Sequence, residues 1–190
     1  MTAFRTLVAT ALLGVSTTMA FAAESYTIDG AHTFLTFSVN HLGFSNSQGR
    51  FAELSGTGQW DAANAANCSL ELTIKTASIS TDNKKRDDHL RSADFFDAAQ
   101  FPEITFKTKS FKSTGTDSWD VTGTLDMHGV KKELTIPVVK IGEGDTPWGA
   151  HVIGFDAKFS IDRTDFGINY MPDGLGKVVP MHLSMEAIRN

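Results

Sequence analysis

The stretch His151-Val152-Ile153-Gly154-Phe155-Asp156-Ala157-Lys158-Phe159-Ser160-Ile161-Asp162 decides the fold. From Phe155 onward, apolar side chains alternate with Asp156, Lys158 and Ser160. Side chains on a strand point to opposite faces with period two, so this segment reads as a strand with one wet face. The pattern recurs. Leu70, Leu72 and Ile74 alternate with Glu71, Thr73 and Lys75, and Val179, Met181, Leu183 and Met185 alternate with Pro180, His182, Ser184 and Glu186. With no helical layer to cover them, the apolar faces must meet one another in a sandwich or a closed barrel. The reading is all-β: an antiparallel β-barrel of about eight strands with a short helix or loop insertion. A barrel of that size either fills with side chains or holds one small ligand.

Residues 1–22 read as a signal peptide. Arg5 supplies a positive start, Leu7 to Val15 a short apolar stretch, and Ala20-Phe21-Ala22 an A-x-A site with cleavage after Ala22. Ser16, Thr17 and Thr18 interrupt the apolar run well short of the roughly 20 residues a membrane span needs. Residues 23–190 then form one domain in an exported, periplasmic protein. The chain carries 17 Lys and Arg against 22 Asp and Glu, a net charge of −5, and removing Arg5 makes it one unit more negative. The charges are interspersed, so the basic stripe that nucleic acid or an anionic membrane surface would require is missing. Cys68 is the only cysteine and can form no intrachain disulfide; no lipobox cysteine follows the cleavage site.

The segment from residue 82 to 100 interrupts the β pattern. Thr81 or Asp82 is expected to cap a short helix ending near Ser92 or Ala93, with Leu90 as its only apolar anchor. Phe101-Pro102 then starts an extended segment. Further strands are expected at Glu103 to Lys107, Ser110 to Ser113, Trp119 to Met127 and Val130 to Lys140, with a turn from Gly142 to Trp148. The last strand, Lys177 to Ile188, closes the barrel against the first.

Motifs for catalysis are missing. His32 and His41 are nine apart, which on one strand sends them to opposite faces, and no H-E-x-x-H or C-x-x-C occurs. Gly43-Phe44-Ser45-Asn46-Ser47 lacks the second glycine of a nucleophile elbow. No cofactor or metal is expected. Fourteen Phe against two Tyr instead supply large apolar area with few polar handles. Phe and Met suit the wall of an accommodating cavity, but a packed core also uses them, so cavity and filled core both stay open. The inward faces nominate a lining of Leu35, Phe37 and Val39, Leu72 and Ile74, Ile104 and Phe106, Leu125 and Met127, Ile136, Phe155 and Phe159, and Met181 and Leu183.

Several motifs resemble one family. Tyr26-x-Ile28-Asp29-x-x-His32, Phe37-x-Val39-x-His41 and Gly49-x-Phe51 are similar to the opening of YceI-like proteins. Arg86-Asp87-x-His89-Leu90-Arg91-Ser92-x-Asp94-Phe95-Phe96-Asp97, Phe101-Pro102-x-Ile104-x-Phe106, Gly123-x-Leu125-x-x-His128-Gly129-Val130 and Arg163-x-Asp165-Phe166-Gly167 continue the likeness to about Ala187. Thr33 departs from the expected Ser but keeps the hydroxyl. The resemblance implies an exported, lipocalin-like barrel that holds a long isoprenoid chain, such as a polyprenyl phosphate or quinone tail, or another amphiphilic lipid, and it implies no settled enzymatic activity. Phe95 and Phe96 are then candidates for an apolar rim, and His32, His128 and Arg163 for contacts to a head group. Neither nucleic acid nor stable membrane insertion is expected; a homodimer stays open. Two rival readings remain: a lipid- or quinone-modifying enzyme using loop histidines, and a filled barrel that binds a protein through the loop from Arg86 to Phe101.

Overall fold

The computed structural model describes residues 23–190; the expected signal segment lies outside them. Eleven strands are present: β1 (Glu24–Ile28), β2 (Phe34–His41), β3 (Ser45–Phe51), β4 (Leu54–Trp60), β5 (Ser69–Lys75), β6 (Ile79–Ser80), β7 (Glu103–Gly115), β8 (Ser118–Met127), β9 (Val130–Asp145), β10 (His151–Asp162) and β11 (Val178–Arg189). One helix, α1 (Lys84–Arg91), interrupts them. Six of the strands are halves. β1 and β2 lie end to end along β11, with Ile28 opposite Ala187 and Leu35 opposite Leu183. β4 continues β3 as their neighbour, and β6 continues β5 after the short 3-10 turn Thr76–Ser78. The result is eight antiparallel staves, and the ring closes because β1 pairs with both β4 and β11.

Register brings the apolar faces together. Residues directly opposite on an antiparallel pair share a face. Leu72 lies opposite Phe106, Phe106 opposite Leu125, Val121 opposite Ile136, Phe159 opposite Met181, and Met181 opposite Phe37. Phe106 and Phe111 are an odd number of residues apart, yet both face inward. A bulge between Thr108 and Ser110 makes that geometry available and joins what the alternation alone reads as two strands.

Between β3 and β4 the chain breaks at Ala52-Glu53, whose backbone bonds to the Ser78 carbonyl and the Lys75 amide instead of continuing one ladder. Two local expectations change. β9 runs on to Asp145, because Gly142, Glu143 and Gly144 pair with Gly154, Ile153 and Val152; the turn is confined to Thr146–Ala150. The helix cap is Asn83, whose side chain accepts from the Arg86 amide at 3.1 Å. Thr81 is engaged elsewhere: its amide and hydroxyl donate to the buried Asp87 carboxylate.

Candidate ligand cavity

The barrel encloses a cavity of about 670 Å³, and all fourteen apolar residues nominated from alternation line it. Two glycines keep the wall thin. Gly49 sits opposite Phe37 and Gly123 beside Phe106, and a Cβ on either would fall within 2.5 Å of the facing ring. The phenyl rings therefore lie along the wall, and the space across the barrel stays open.

The two ends differ. At one, Trp60 stands edge-on to Trp119 at 5.0 Å and to Phe155 at 5.2 Å between ring centres, an arrangement that aromatic quadrupoles favour. At the other, six residues that line the cavity remain exposed to solvent, His41, Ser45, Arg86, His89, Tyr170 and Met171, against Gln59 and Ser69 beside Trp60. This end is the mouth. It is framed by α1, by the segment carrying Phe95 and Phe96, and by the loop after β10. Phe95 is buried and packs on Tyr170 and His89; Phe96 packs edge-on against Phe51.

Arg163, nominated for a head group, lines the cavity but is almost wholly buried. Its guanidinium donates to the carbonyls of Gly176 at 3.0 Å, Ile168 at 2.7 Å and Leu175 at 3.0 Å. Burial draws its pKa below the usual arginine value, and a guanidinium keeps its charge in proteins. Its first task is to hold the loop at residues 168–176. Asp165 pairs not with Arg163 but with Lys132, at 3.1 Å.

The two histidines nominated with it, His32 and His128, do not line the cavity. His32 is exposed on the kink between β1 and β2, and its Nδ1 lies 2.7 Å from Asp29 Oδ2. That contact raises the His32 pKa and lowers that of Asp29. Asp29, His32 and Glu186 bring three ligating atoms within 4.8 Å of one another, the one such grouping among the described residues. It sits on the outer surface, and Asp29 and His32 already satisfy each other. His128 occupies the β8–β9 turn, with its ring against Phe101 and Nδ1 at 2.9 Å from the Phe166 carbonyl. It pins the loop after β10 to the neighbouring hairpin.

Sequence reasoning missed Arg86 and His89. The two are three apart on α1 and share a face with Leu90, so helical spacing from the single apolar anchor would have found them. Tyr170 and Met171 carried no periodic signal, because they lie in irregular loop.

A closed antiparallel barrel around an apolar cavity, open at one end, defines a barrel-type binding protein. Residues 26–187 match the YceI-like domain, and the chain belongs to that family. It is 38% identical over 181 residues to a UPF0312 protein of Azotobacter vinelandii, covering 94% of this chain and 93% of the relative. A UPF0312 protein of Pseudomonas putida (strain KT2440) is 39% identical over 182 residues, covering 95% and 93%. Among solved structures, the YCEI protein of Campylobacter jejuni superposes with a TM-score of 0.72 at 32% identity, over 80% of this chain and 90% of that one. A polyisoprenoid binding domain from Saccharophagus degradans shares the fold at a TM-score of 0.68 and 19% identity, over 88% and 99%.

Proposed function

We propose that this protein holds a long-chain isoprenoid or similar amphiphilic lipid in the barrel, as a carrier, scavenger or store, and performs no chemistry on it. The observation that carries the reading is the cavity: about 670 Å³ of space walled by aliphatic and phenyl side chains. At roughly 30 Å³ for each water-sized group, it encloses about twenty heavy atoms of a chain. A longer isoprenoid would leave its remainder and head group at the mouth, beside Arg86, His89 and Tyr170. The described polyisoprenoid binding domain from Saccharophagus degradans supports the ligand class by analogy of fold. Of the histidines a catalytic reading would use, His32 and His128 do not line the cavity, and His41 and His89 do so only at its mouth. Export to the periplasm, with cleavage after Ala22, completes the proposal: such a lipid starts in a membrane, and exchange between two apolar surroundings is close to neutral, which suits reversible loading.

The test is titration of delipidated protein with a dansyl-labelled isoprenoid alcohol. Saturable binding near one equivalent, reduced by Phe155→Trp in a protein that still folds, is the expected result. No saturable uptake, with Phe155→Trp acting only on stability, would mean a filled barrel.

A further inference from the structure

Two apolar side chains at the mouth stand where local chemistry disfavours them. The β2–β3 hairpin turns through Leu42 and Gly43, at φ +54° and +77°, and the Phe44 amide returns to the His41 carbonyl at 3.0 Å. Both central residues of such a turn need positive φ, which Asn, Asp and Gly adopt readily and leucine does not. Leu42 is half exposed there, and Phe44 beside it is 89% exposed. Facing them, the loop after β10 presents Tyr170 and Met171, both exposed and both part of the cavity wall. The two segments are tied together. The Leu42 amide donates to the Gly174 carbonyl at 2.8 Å and the Gly176 amide to the Asn40 carbonyl at 3.0 Å. The Leu42 and Met171 side chains close on Gly174 from two sides, each 3.0 Å from where a Cβ would stand. No Asp, Glu, Lys or Arg occurs between residues 40 and 48, or between 168 and 172, and Asp173 is the first charge to follow Met171.

We propose that this uncharged apex, formed by Leu42, Phe44, Tyr170 and Met171, docks on a lipid bilayer, and that the ligand passes there between membrane and barrel. The inference rests on the cavity reading above. A lipid of that class resides in a membrane, and each methylene that crosses water disfavours the passage roughly fourfold. The mouth must therefore touch the bilayer, and the apex is continuous with the wall the ligand has to reach. A net charge of −5 gives no general attraction to anionic head groups, so the contact is apolar insertion and is insensitive to salt. The opposite end also exposes Trp148 and Ile141, but these stand away from the mouth.

The experiment times transfer of the dansyl-labelled isoprenoid alcohol from phosphatidylcholine vesicles to the processed protein, residues 23–190, at low and high salt. Leu42→Asn suits the turn better than leucine, so the double variant Leu42→Asn/Phe44→Ser removes the apex without unsettling the hairpin. Transfer is expected to slow about tenfold or more, since two apolar side chains no longer leave water. Salt should leave the rate unchanged, as should Ile141→Ser at the other end, and uptake of the probe added directly from solvent should be unaffected. A double variant that loads as fast as the parent, or an Ile141→Ser protein slowed equally, overturns the docking surface. If no form takes up probe even from solvent, the cavity reading fails, and Phe44→Trp in a Trp148→Phe background decides docking by itself. A blue shift of the reporter indole with empty vesicles upholds it, and an unmoved spectrum overturns it.

Discussion

At the closed end of the barrel, Trp60 packs edge-on against Trp119 and Phe155, and the β1–β4 ladder runs to Glu24 and Trp60. At the mouth the segments before α1 and after β10 leave the ladders, and their backbone carbonyls are captured by arginines. Arg163 takes three in the loop after β10, Arg91 takes those of Ala77 and Ile79 at 2.7 Å each, and Arg86 takes that of Thr81 at 2.8 Å. An end that must stay open cannot be finished by packing, because packing closes it. The irregular backbone around the opening still carries polar groups that need partners. Guanidinium forks supply them without filling the cavity.

The comparison breaks most visibly at Arg163. Arg163→Met keeps much of the side-chain volume but orphans three carbonyls, and loss of such charge-assisted bonds should destabilise the protein by about 3–5 kcal/mol in urea unfolding. Trp148→Ser at the far end, removing an exposed side chain, should stay within about 0.5 kcal/mol. Equal losses at the two sites would dissolve the distinction between a clamped mouth and a packed end.

A smaller effect is expected between the ends, where Gly123 makes room for the Phe106 ring. Gly123→Val should push that ring into the cavity, at a cost of about 1–3 kcal/mol, and weaken probe binding. Unaltered probe affinity would place the ligand elsewhere.

The smallest effect belongs to the Asp29–His32 pair on the kink. The His32 pKa is raised above its ordinary 6.5, so its contribution is full below that value and is lost as pH rises through the raised pKa. The Asp29 pKa is lowered below 3.8, so its contribution is present above that value and fades as pH falls through the lowered pKa. The melting temperature of His32→Gln should trail the parent slightly between about pH 4 and 6.5 and meet it in alkali. A gap that persists at high pH would mean that the histidine acts through packing.

What could be read in advance follows the same division. The walls were legible because burial in a barrel imposes period two, and every nominated lining residue, from Leu35 to Leu183, reaches the cavity. The mouth was not, because its residues answer to carbonyls several positions away and to the geometry of irregular turns. His128 and Arg163 carry the chemistry of a head-group site, yet their nearest partners are the backbone at Phe166, Ile168, Leu175 and Gly176. The bulge at Thr108/Ser110 likewise hid Phe111, since one extra residue reverses every later face.

The most direct test of a lipid-holding barrel is mass spectrometry of an organic extract of the protein, purified from its native host without detergent. A long-chain isoprenoid or similar amphiphile near one equivalent per chain is the expected result. An extract empty of lipid, with no uptake after incubation with candidate isoprenoids, would contradict the account and leave Phe37, Phe106 and Phe159 as core and nothing more.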